Sequence, residues 1–301
     1  MRIGVAATPD VALPTLEWLL TSSHEVCCVI SQPDRPAGRG RDISPSPVSK
    51  WALAHEITLL RPESSEELIG AIDDLDLVIT IGYGVILPKA VLILPRYGFI
   101  NLHFSLLPAY RGAAPVQRAI ENGEHETGVS VFALDEGMDT GPMYRSRKIA
   151  IHEDWRTEEV LEALSHLGPQ VIDETLSDIS MNVQPVAQSG QTSTAKKISK
   201  LEALIDWQLE AEIIVRKVRA FHPAPGAWTK WRGESFKINQ AHAVNVPLLP
   251  GEITSTNDGV YVGCGKSTSI ALVSVVPSGK REMSAQEWAR GAKLSIGAAF
   301  G

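Results

Sequence analysis

The chain has 301 residues, of which 44% are hydrophobic and 21% charged, so it has enough apolar material for one large or two medium domains. It contains no run of about eighteen apolar residues, and its N-terminus enters a strand pattern directly, which argues against a membrane span and against a secretory leader. The cysteines, Cys27, Cys28 and Cys264, lack metal-ligand spacing and fit reduced core thiols. The sequence therefore predicts a cytoplasmic protein without a bound metal.

The net charge of −7 is unevenly distributed. Residues 1–185 carry 14 Lys and Arg against 26 Asp and Glu, a balance of −12, whereas residues 186–301 carry 14 against 9, a balance of +5. An imbalance of this size also arises by chance, but an acidic catalytic domain joined to a basic, anion-binding domain would give the same pattern.

Apolar strand patterns alternate with helical patterns through the first 185 residues. Strands are predicted at 2–7, 26–31, 76–83, 98–104, 127–134 and 145–151. Helices are predicted at 10–22, 48–56, 64–73, 85–93, 114–122 and 156–180. This alternation predicts a Rossmann-like, mostly parallel sheet with helices on both faces. The first turn, residues 4–9, lacks the glycine pair that a dinucleotide pyrophosphate requires, so a nicotinamide or flavin oxidoreductase is not expected.

A long connection, residues 32–47, follows the second predicted strand. It shows no apolar periodicity and carries Arg35, Arg39 and Arg41 among prolines and glycines. It leaves the sheet at the carboxyl end of its strand, the edge where open α/β sheets bind ligands. We interpret it as an anion-recognition loop, because arginine suits phosphate groups. The alternative is a solvated loop with incidental arginines.

The composition becomes polar after residue 185. Residues 186–202 are predicted to be a basic linker that contains Lys196 and Lys197. A helix is then expected over 203–220, followed by short strands at 227–232, 235–240, 251–255, 259–263 and 269–276. Short strands at close spacing favour a small, OB-like β-barrel, so the sequence predicts a catalytic domain over 1–185 and a second domain over 203–301.

One set of polar residues interrupts this apolar pattern. Asn101 and His103 lie two apart on the strand predicted at 98–104, so their side chains should project from the same face. Asp139 follows in a glycine-flanked loop between the next two strands. A buried Asn and His hydrogen-bonded to neighbouring loops would be a purely structural explanation. Together with Asp139 they also form a donor–donor–base set suited to acyl transfer.

Longer stretches around these residues match a known family. NLHFSLLPAYRGAAPVQ at 101–117, followed by ETGVSVFALDEGMDTG at 126–141, resembles the signature of the 10-formyltetrahydrofolate-dependent formyltransferases. Three further segments are similar to the branch of that family whose acceptor is methionyl-tRNA: QPDRPAGRGRDISPSPV at 32–48, KKISKLEALIDW at 196–207 and RAFHPAPGAW at 219–228. The resemblance runs over nearly the whole chain.

The resemblance implies a function and a set of site residues. The formyl group of 10-formyltetrahydrofolate would pass to the α-amine of initiator methionyl-tRNA, giving N-formylmethionyl-tRNA for translation initiation. Asn101 and a protonated His103 would stabilise the oxyanion, and Asp139 would orient His103. Whether His103 or Asp139 takes the proton stays open. The remaining implied contacts are Ser105, Leu106, Leu107 and Pro108 for folate, and Arg35, Arg39, Arg41, Lys196 and Lys197 for tRNA.

Two alternatives remain at this stage. An enzyme of the same family could use a small amine acceptor, such as glycinamide ribonucleotide or an amino sugar. A non-catalytic folate- or RNA-binding protein could also use this fold. The basic C-terminal region favours tRNA over a small acceptor, and the intact Asn101, His103 and Asp139 favour an enzyme over a binding protein. The expected enzyme is a monomer with no membrane contact.

Overall fold

Backbone contacts divide the chain into two compact units. The computed structural model describes residues 1–37 and 42–301, with the backbone alone over 35–37, 42 and 43. The first unit comprises residues 1–115, 126–150 and 161–195, and the second comprises 116–125, 151–160 and 196–301. In the described part of the chain, none of the helices is both long enough and apolar enough to span a membrane.

The first unit is organised around a sheet whose strand order is β5-β2-β1-β6-β7-β8-β9. The strands of this part of the chain are β1 Arg2–Ala7, β2 Glu25–Ile30, β3 Arg35–Ala37, β4 Asp42–Ser44, β5 Thr58–Leu60, β6 Leu77–Ile81, β7 Phe99–His103, β8 Glu126–Ala133 and β9 Met143–Ala150. Pairing from β5 to β7 is parallel, whereas β8 and β9 are antiparallel additions at one edge. The predicted Rossmann-like, mostly parallel sheet is confirmed.

Helices connect these strands and follow the sheet. They are α1 Leu13–Thr21, α2 Pro47–Ala54, α3 Lys89–Leu92, α4 Pro115–Glu121, α5 Thr157–Ser165 and α6 Gly168–Ser180. Residues 116–121 of α4 and 157–160 of α5 belong to the second unit. Strand β6 is buried along its whole length, as expected for a parallel strand covered on both faces. The alternation of apolar runs and helical patterns therefore dictates the layers of this unit.

Two predicted helices are shorter than expected. The pattern at 64–73 yields only a 3₁₀ turn, Ser65–Leu68, after which Ile69 is extended. The pattern at 85–93 yields only α3, because Pro88 is itself extended and marks the helix start. Conversely, the arginine-rich connection contains a short antiparallel pair, β3 with β4, in which Arg35 lies opposite Ser44. Strands of three residues are too short to show periodicity in a sequence.

Strand β7 carries the first two candidate site residues to the carboxyl edge of the sheet. It lies between β6, to which it is parallel, and β8, to which it is antiparallel. Asn101 lies opposite Phe132, and His103 lies opposite Ser130. The intervening Leu102 is buried, so the apolar residues hold the strand in the core while the polar pair shares the other face.

The second unit contains an antiparallel sheet of order β10-β11-β14-β13-β12, with β15 beside β14. Its elements are α7 Ala211–Phe221, β10 Trp228–Trp231, β11 Glu234–Val244, β12 Ile253–Ser255, β13 Val260–Gly263, β14 Ser269–Pro277, β15 Met283–Ser284 and α8 Ala285–Ala292. The sheet curls into a half-barrel, and the predicted small OB-like β domain is confirmed. Helix α7 begins at Ala211 rather than at 203, because Ala203 and Ile205 hydrogen-bond Trp228 instead.

An aromatic cluster forms much of the core of the second unit. Phe236 is 1% exposed, and its ring centroid lies 4.7 Å from that of Trp288 and 5.0 Å from that of Phe300. Phe300 in turn stacks on Trp207 at 5.4 Å. Aromatic pairs at these distances add directional attraction to the burial of apolar area. Phe236 therefore ties the sheet to α8 and to the C-terminal segment.

Removal of the Phe236 ring should destabilise the second unit. Because the ring is fully buried, Phe236→Ala should lower the free energy of unfolding by about 3–5 kcal/mol. Urea denaturation followed by tryptophan fluorescence measures this change. Leu249→Ala is the matched control, since Leu249 is 74% exposed and its truncation should have little effect. Equal effects of the two substitutions would contradict this description of the core.

Candidate active site

The side-chain amide of Asn101 lies at the edge of the sheet. Its side chain is half-buried, and none of the hydrogen bonds found within residues 1–37 and 42–301 uses it. Its backbone is fixed by pairing with β6 and β8. A partly buried amide on a rigid strand can donate to a ligand oxygen without first breaking a bond within the protein.

His103 is buried, with 6% of its surface exposed, and its ring is fixed on two sides. Nε2 lies 3.0 Å from the carbonyl oxygen of Tyr110, which can only accept, so Nε2 carries the proton and donates. The other nitrogen, Nδ1, lies 3.8 Å from Oδ2 of Asp139. The edge of Phe132 packs against the ring at a centroid distance of 6.5 Å. Nδ1 is therefore the ring nitrogen that has no proton when the imidazole is neutral.

Burial lowers the pKa of His103 below its ordinary value, although the Asp139 carboxylate and the Tyr110 carbonyl oppose this shift. A lowered pKa favours the neutral form of the imidazole, in which the unshared electron pair lies on Nδ1 because Nε2 carries the proton. This differs from the protonated His103 expected from the sequence. The reason is desolvation: a charged ring in this position would lose more from burial than the single nearby carboxylate returns.

Asp139 is held by a backbone donor from another loop. The amide N–H of Gly112 donates to Oδ2 of Asp139 at 2.7 Å. Asp139 itself has a left-handed backbone, with φ of 55°. The turn that carries it is closed by the Asp135 carboxylate, which accepts from the Thr140 hydroxyl at 2.7 Å and from the Gly137 amide at 3.0 Å. The structure therefore places the Asp139 carboxylate 3.8 Å from Nδ1 of His103, while Asn101 lies two residues before His103 on the same strand, β7.

The loop at 105–108 contains buried residues that fix its backbone and half-buried leucines. Ser105 is fully buried, and its hydroxyl donates to the Ala109 carbonyl at 2.6 Å. The Ser130 hydroxyl donates to the Ser105 carbonyl at 2.7 Å and accepts from the Leu107 amide at 3.1 Å. Pro108 is also buried, whereas Leu106 and Leu107 are half-buried. Ser105 and Ser130 fix the backbone of the loop, and the two leucines are its partly exposed apolar residues.

The candidate tRNA contacts lie in separate parts of the chain. Arg35 lies in β3, and Arg39 and Arg41 fall outside the described residues. Lys196 and Lys197 belong to the second unit and are exposed. Within residues 1–37 and 42–301, no group of three or more His, Cys, Asp and Glu side chains could hold a metal ion.

Three contributors to this site were not predicted from the sequence. They are Tyr110, whose carbonyl orients His103, Gly112, whose amide holds Asp139, and Gln188, whose side chain reaches the backbone of the Asp139 loop. Tyr110 and Gly112 act through backbone groups, and a sequence shows only side chains. Gln188 lies in a polar segment without periodicity, where nothing distinguishes it from its neighbours Gln184 and Gln191.

Comparison with known proteins agrees with this architecture. Residues 1–176 match a formyl transferase family model, and residues 197–293 match that of the formyl transferase C-terminal domain. The methionyl-tRNA formyltransferase of Hydrogenovibrio crunogenus is 41% identical, over 98% of this chain and 97% of that protein. HypX from Aquifex aeolicus, solved with tetrahydrofolic acid, superposes with a TM-score of 0.70 at 17% identity, over 98% of this chain and 48% of HypX.

A solved methionyl-tRNA formyltransferase from Clostridium thermocellum also superposes, with a TM-score of 0.59 at 16% identity, over 90% of this chain and 99% of that one. Both family models describe formyl transferases. This is the class of enzyme that the fold defines together with Asn101, His103 and Asp139. The chain belongs to the methionyl-tRNA formyltransferase family, because full-length relatives of that name are about 40% identical to it. The predicted family and the predicted enzyme class are confirmed.

The environment of His103 gives a prediction for its titration. Its pKa in the folded protein should lie below 6.5, and Asp139→Asn should lower it further by removing the carboxylate that opposes the shift. The unfolded state binds a proton at His103 more tightly than the folded state does, so protonation favours unfolding. The contribution of His103 to the free energy of unfolding is therefore fully present above pH 6.5, and it is lost as the pH falls through the pKa of His103 in the folded protein. Nitrogen-15 NMR of the imidazole measures the pKa. A value above 6.5 would contradict a neutral resting ring.

Proposed function

We propose that this enzyme transfers the formyl group of 10-formyltetrahydrofolate to the α-amine of initiator methionyl-tRNA, giving N-formylmethionyl-tRNA for translation initiation. The observation that carries the proposal is the 3.8 Å separation between Nδ1 of His103 and the Asp139 carboxylate at the carboxyl end of β7, the strand that also carries Asn101. The names and the full-length similarity of its relatives support the acceptor. We place the enzyme in the cytoplasm as a monomer, since one chain supplies the whole set.

Attack of the amine on the formyl carbon creates a negative charge on the formyl oxygen. The amide N–H of Asn101 is positioned to donate to this oxygen, because the side chain has no partner within the described residues and its strand is rigid. Preorganised donors of this kind typically contribute about 10²–10³ in rate. The amide needs no reorganisation as the charge develops.

Neutral His103 then serves as the proton carrier. In the free amine form the nucleophile loses one proton after attack, and the unprotonated Nδ1 accepts it. The resulting imidazolium is stabilised by the Asp139 carboxylate 3.8 Å away. As the bond between the formyl carbon and N10 of the folate breaks, the same proton passes to N10. The net change is the transfer of one formyl group and one proton in opposite directions. In this proposal His103, rather than Asp139, takes the proton directly.

The folate contact is assigned to the loop that follows His103. Leu106 and Leu107 offer apolar surface beside the catalytic set, and the backbone of this loop is fixed by Ser105 and Ser130. A ring system of mixed apolar and polar character, such as a tetrahydropterin, suits an apolar wall supplemented by backbone hydrogen bonds. Pro108 and Ser105 are buried, so their part is to maintain the shape of the wall.

We assign tRNA binding to the arginine loop and the basic C-terminal region. Residues 186–301 carry a charge balance of +5, which suits a polyanionic partner. The proposed division keeps a catalytic domain over 1–185, a basic segment over 186–202 and a tRNA-binding domain over 203–301. Lys196 and Lys197, both exposed, and Arg35, Arg39 and Arg41 are the proposed contacts.

One assay separates this proposal from the alternatives. Formyl transfer from 10-formyltetrahydrofolate is measured with methionyl-tRNA, glycinamide ribonucleotide and an amino sugar nucleotide as competing acceptors. Transfer to methionyl-tRNA alone is the expected result. Transfer only to a small amine would reassign the acceptor, and binding of folate and tRNA without any transfer would indicate a non-catalytic protein.

Asp139→Asn should retain the fold and lose about 10²–10⁴ in kcat, because the imidazolium formed on His103 would lose its negative partner. Single-turnover kinetics with saturating substrates measures the chemical step. Glu136→Gln is the matched control, since Glu136 is an exposed carboxylate on the same loop and should be silent. Near-normal turnover of Asp139→Asn would contradict the proposed mechanism.

Neutralisation of the basic residues should weaken tRNA binding and leave the chemistry intact. Lys196→Ala with Lys197→Ala, and separately Arg39→Ala, should raise the KM for methionyl-tRNA and reduce the salt slope of binding by roughly one per lost phosphate contact. The KM for folate should not change. Lys148→Ala is the control, because Lys148 is paired with Glu126 at 3.0 Å. A tRNA KM that stays constant in both variants would exclude these residues as contacts.

A further inference from the structure

One side chain of the segment 186–195, that of Gln188, hydrogen-bonds to the loop that carries Asp139. We infer that Gln188 is a positioning residue that fixes the backbone of Asp139 against the loop following His103. The inference rests on the proposed function, because it assigns a role to Gln188 in that reaction. Its evidence is a closed set of hydrogen bonds that joins three separate stretches of chain.

The side-chain amide of Gln188 is fully engaged. Its Oε1 accepts from Nε and Nη2 of Arg111 at 3.2 and 2.6 Å. Its Nε2 donates to the carbonyl oxygens of Asp139 at 2.9 Å and of Gly141 at 2.8 Å. Because Arg can only donate and carbonyls can only accept, these partners permit one orientation of the amide. Gln188 therefore connects the Arg111 side chain to the backbone of the Asp139 loop.

This connection constrains the Asp139 carboxylate. Asp139 has a φ of 55°, a conformation that a non-glycine residue keeps only when its surroundings impose it. Gln188 holds the carbonyl of Asp139 itself and that of Gly141, and Gly112 holds the carboxylate. Arg111 precedes Gly112 in the chain, so the ring of hydrogen bonds closes on itself. Displacement of any member moves the carboxylate relative to Nδ1 of His103.

The backbone around Gln188 is fixed at both ends, so its side chain starts from a defined position. Val186 exchanges two hydrogen bonds with Met143 of β9, at 2.7 and 2.8 Å. Farther along, the Ser193 hydroxyl accepts from the Tyr110 amide at 2.8 Å, and the Ala195 amide donates to the Arg111 carbonyl at 2.6 Å. The same segment therefore also fixes Tyr110, whose carbonyl orients the His103 ring.

The first test compares two substitutions of Gln188 that keep its length. Gln188→Met removes every hydrogen bond, and Gln188→Glu keeps the acceptor for Arg111 but removes both donors to the loop. We expect each to lower kcat by about 10- to 100-fold, as for a small misplacement of a catalytic group, with KM for both substrates unchanged. Gln191→Met is the control, since Gln191 is exposed in the same segment. A purely structural role would lower the melting temperature without this kcat change per folded molecule.

The second test asks whether Arg111 acts through Gln188. Arg111→Met should slow turnover, and the double variant with Gln188→Met should be no slower than the slower single variant, because both remove the same connection. Fully additive losses would show that the two side chains act separately and would overturn the inference.

The third test detects displacement of Asp139 in the absence of substrate. Asp139 is the charged group that contacts the His103 ring within the described part of the chain, so its displacement should change the titration of that ring. In nitrogen-15 NMR, Gln188→Met should move the His103 titration downward, in the direction of Asp139→Asn, and Gln191→Met should not. An unchanged titration in Gln188→Met would overturn the inference. Absence of formyl transfer in the unmodified enzyme would instead overturn the proposed function, whatever the NMR result.

Discussion

The hydrogen bond from the Gly112 amide to the Asp139 carboxylate is the constraint on which the site depends. It requires the chain after β7 to turn back sharply, and the two residues that make this possible have positive φ: Tyr110 at 60° and Gly112 at 124°. Glycine is required at 112, because a Cβ there would lie 2.8 Å from the Ala195 carbonyl oxygen. The same return of the chain brings the Tyr110 carbonyl to Nε2 of His103. One turn therefore orients both the His103 ring and the Asp139 carboxylate.

Burial and charge act in opposite directions at this site, and their balance sets the chemistry. Full desolvation of His103 favours the neutral ring, whereas Asp139, at 3.8 Å, favours the charged ring. A neutral imidazole can accept a proton, and a nearby carboxylate stabilises the imidazolium that forms until the proton is transferred onward. At this separation the carboxylate reduces the effect of burial on the pKa of His103 without reversing it.

The sequence predicts the side chains of the site better than the burial and the hydrogen bonds that hold them in place. Alternating apolar runs were sufficient for the parallel sheet, and the spacing of Asn101 and His103 was sufficient to place them on one face. Spacing could not reveal that burial lowers the pKa of His103, because desolvation depends on residues distant in sequence, such as Phe132. It also could not reveal Gln188, since a polar segment without periodicity looks the same whether it is solvated or bonded to a catalytic loop. Backbone donors such as Gly112 leave no sequence signal at all.

The structure also narrows where a polyanion can bind the basic C-terminal region. Two cations near the end of α7 have internal partners: Arg219 donates to the carbonyls of Trp155 and His152, and Lys217 lies 4.0 Å from Glu121. A cation already engaged with carbonyls or a carboxylate releases fewer counterions on binding RNA than an exposed one. The charge balance of +5 over residues 186–301 therefore overstates what this region offers to RNA. Lys196 and Lys197 are exposed, and for that reason they contribute more to the proposed tRNA contact than the cations of α7.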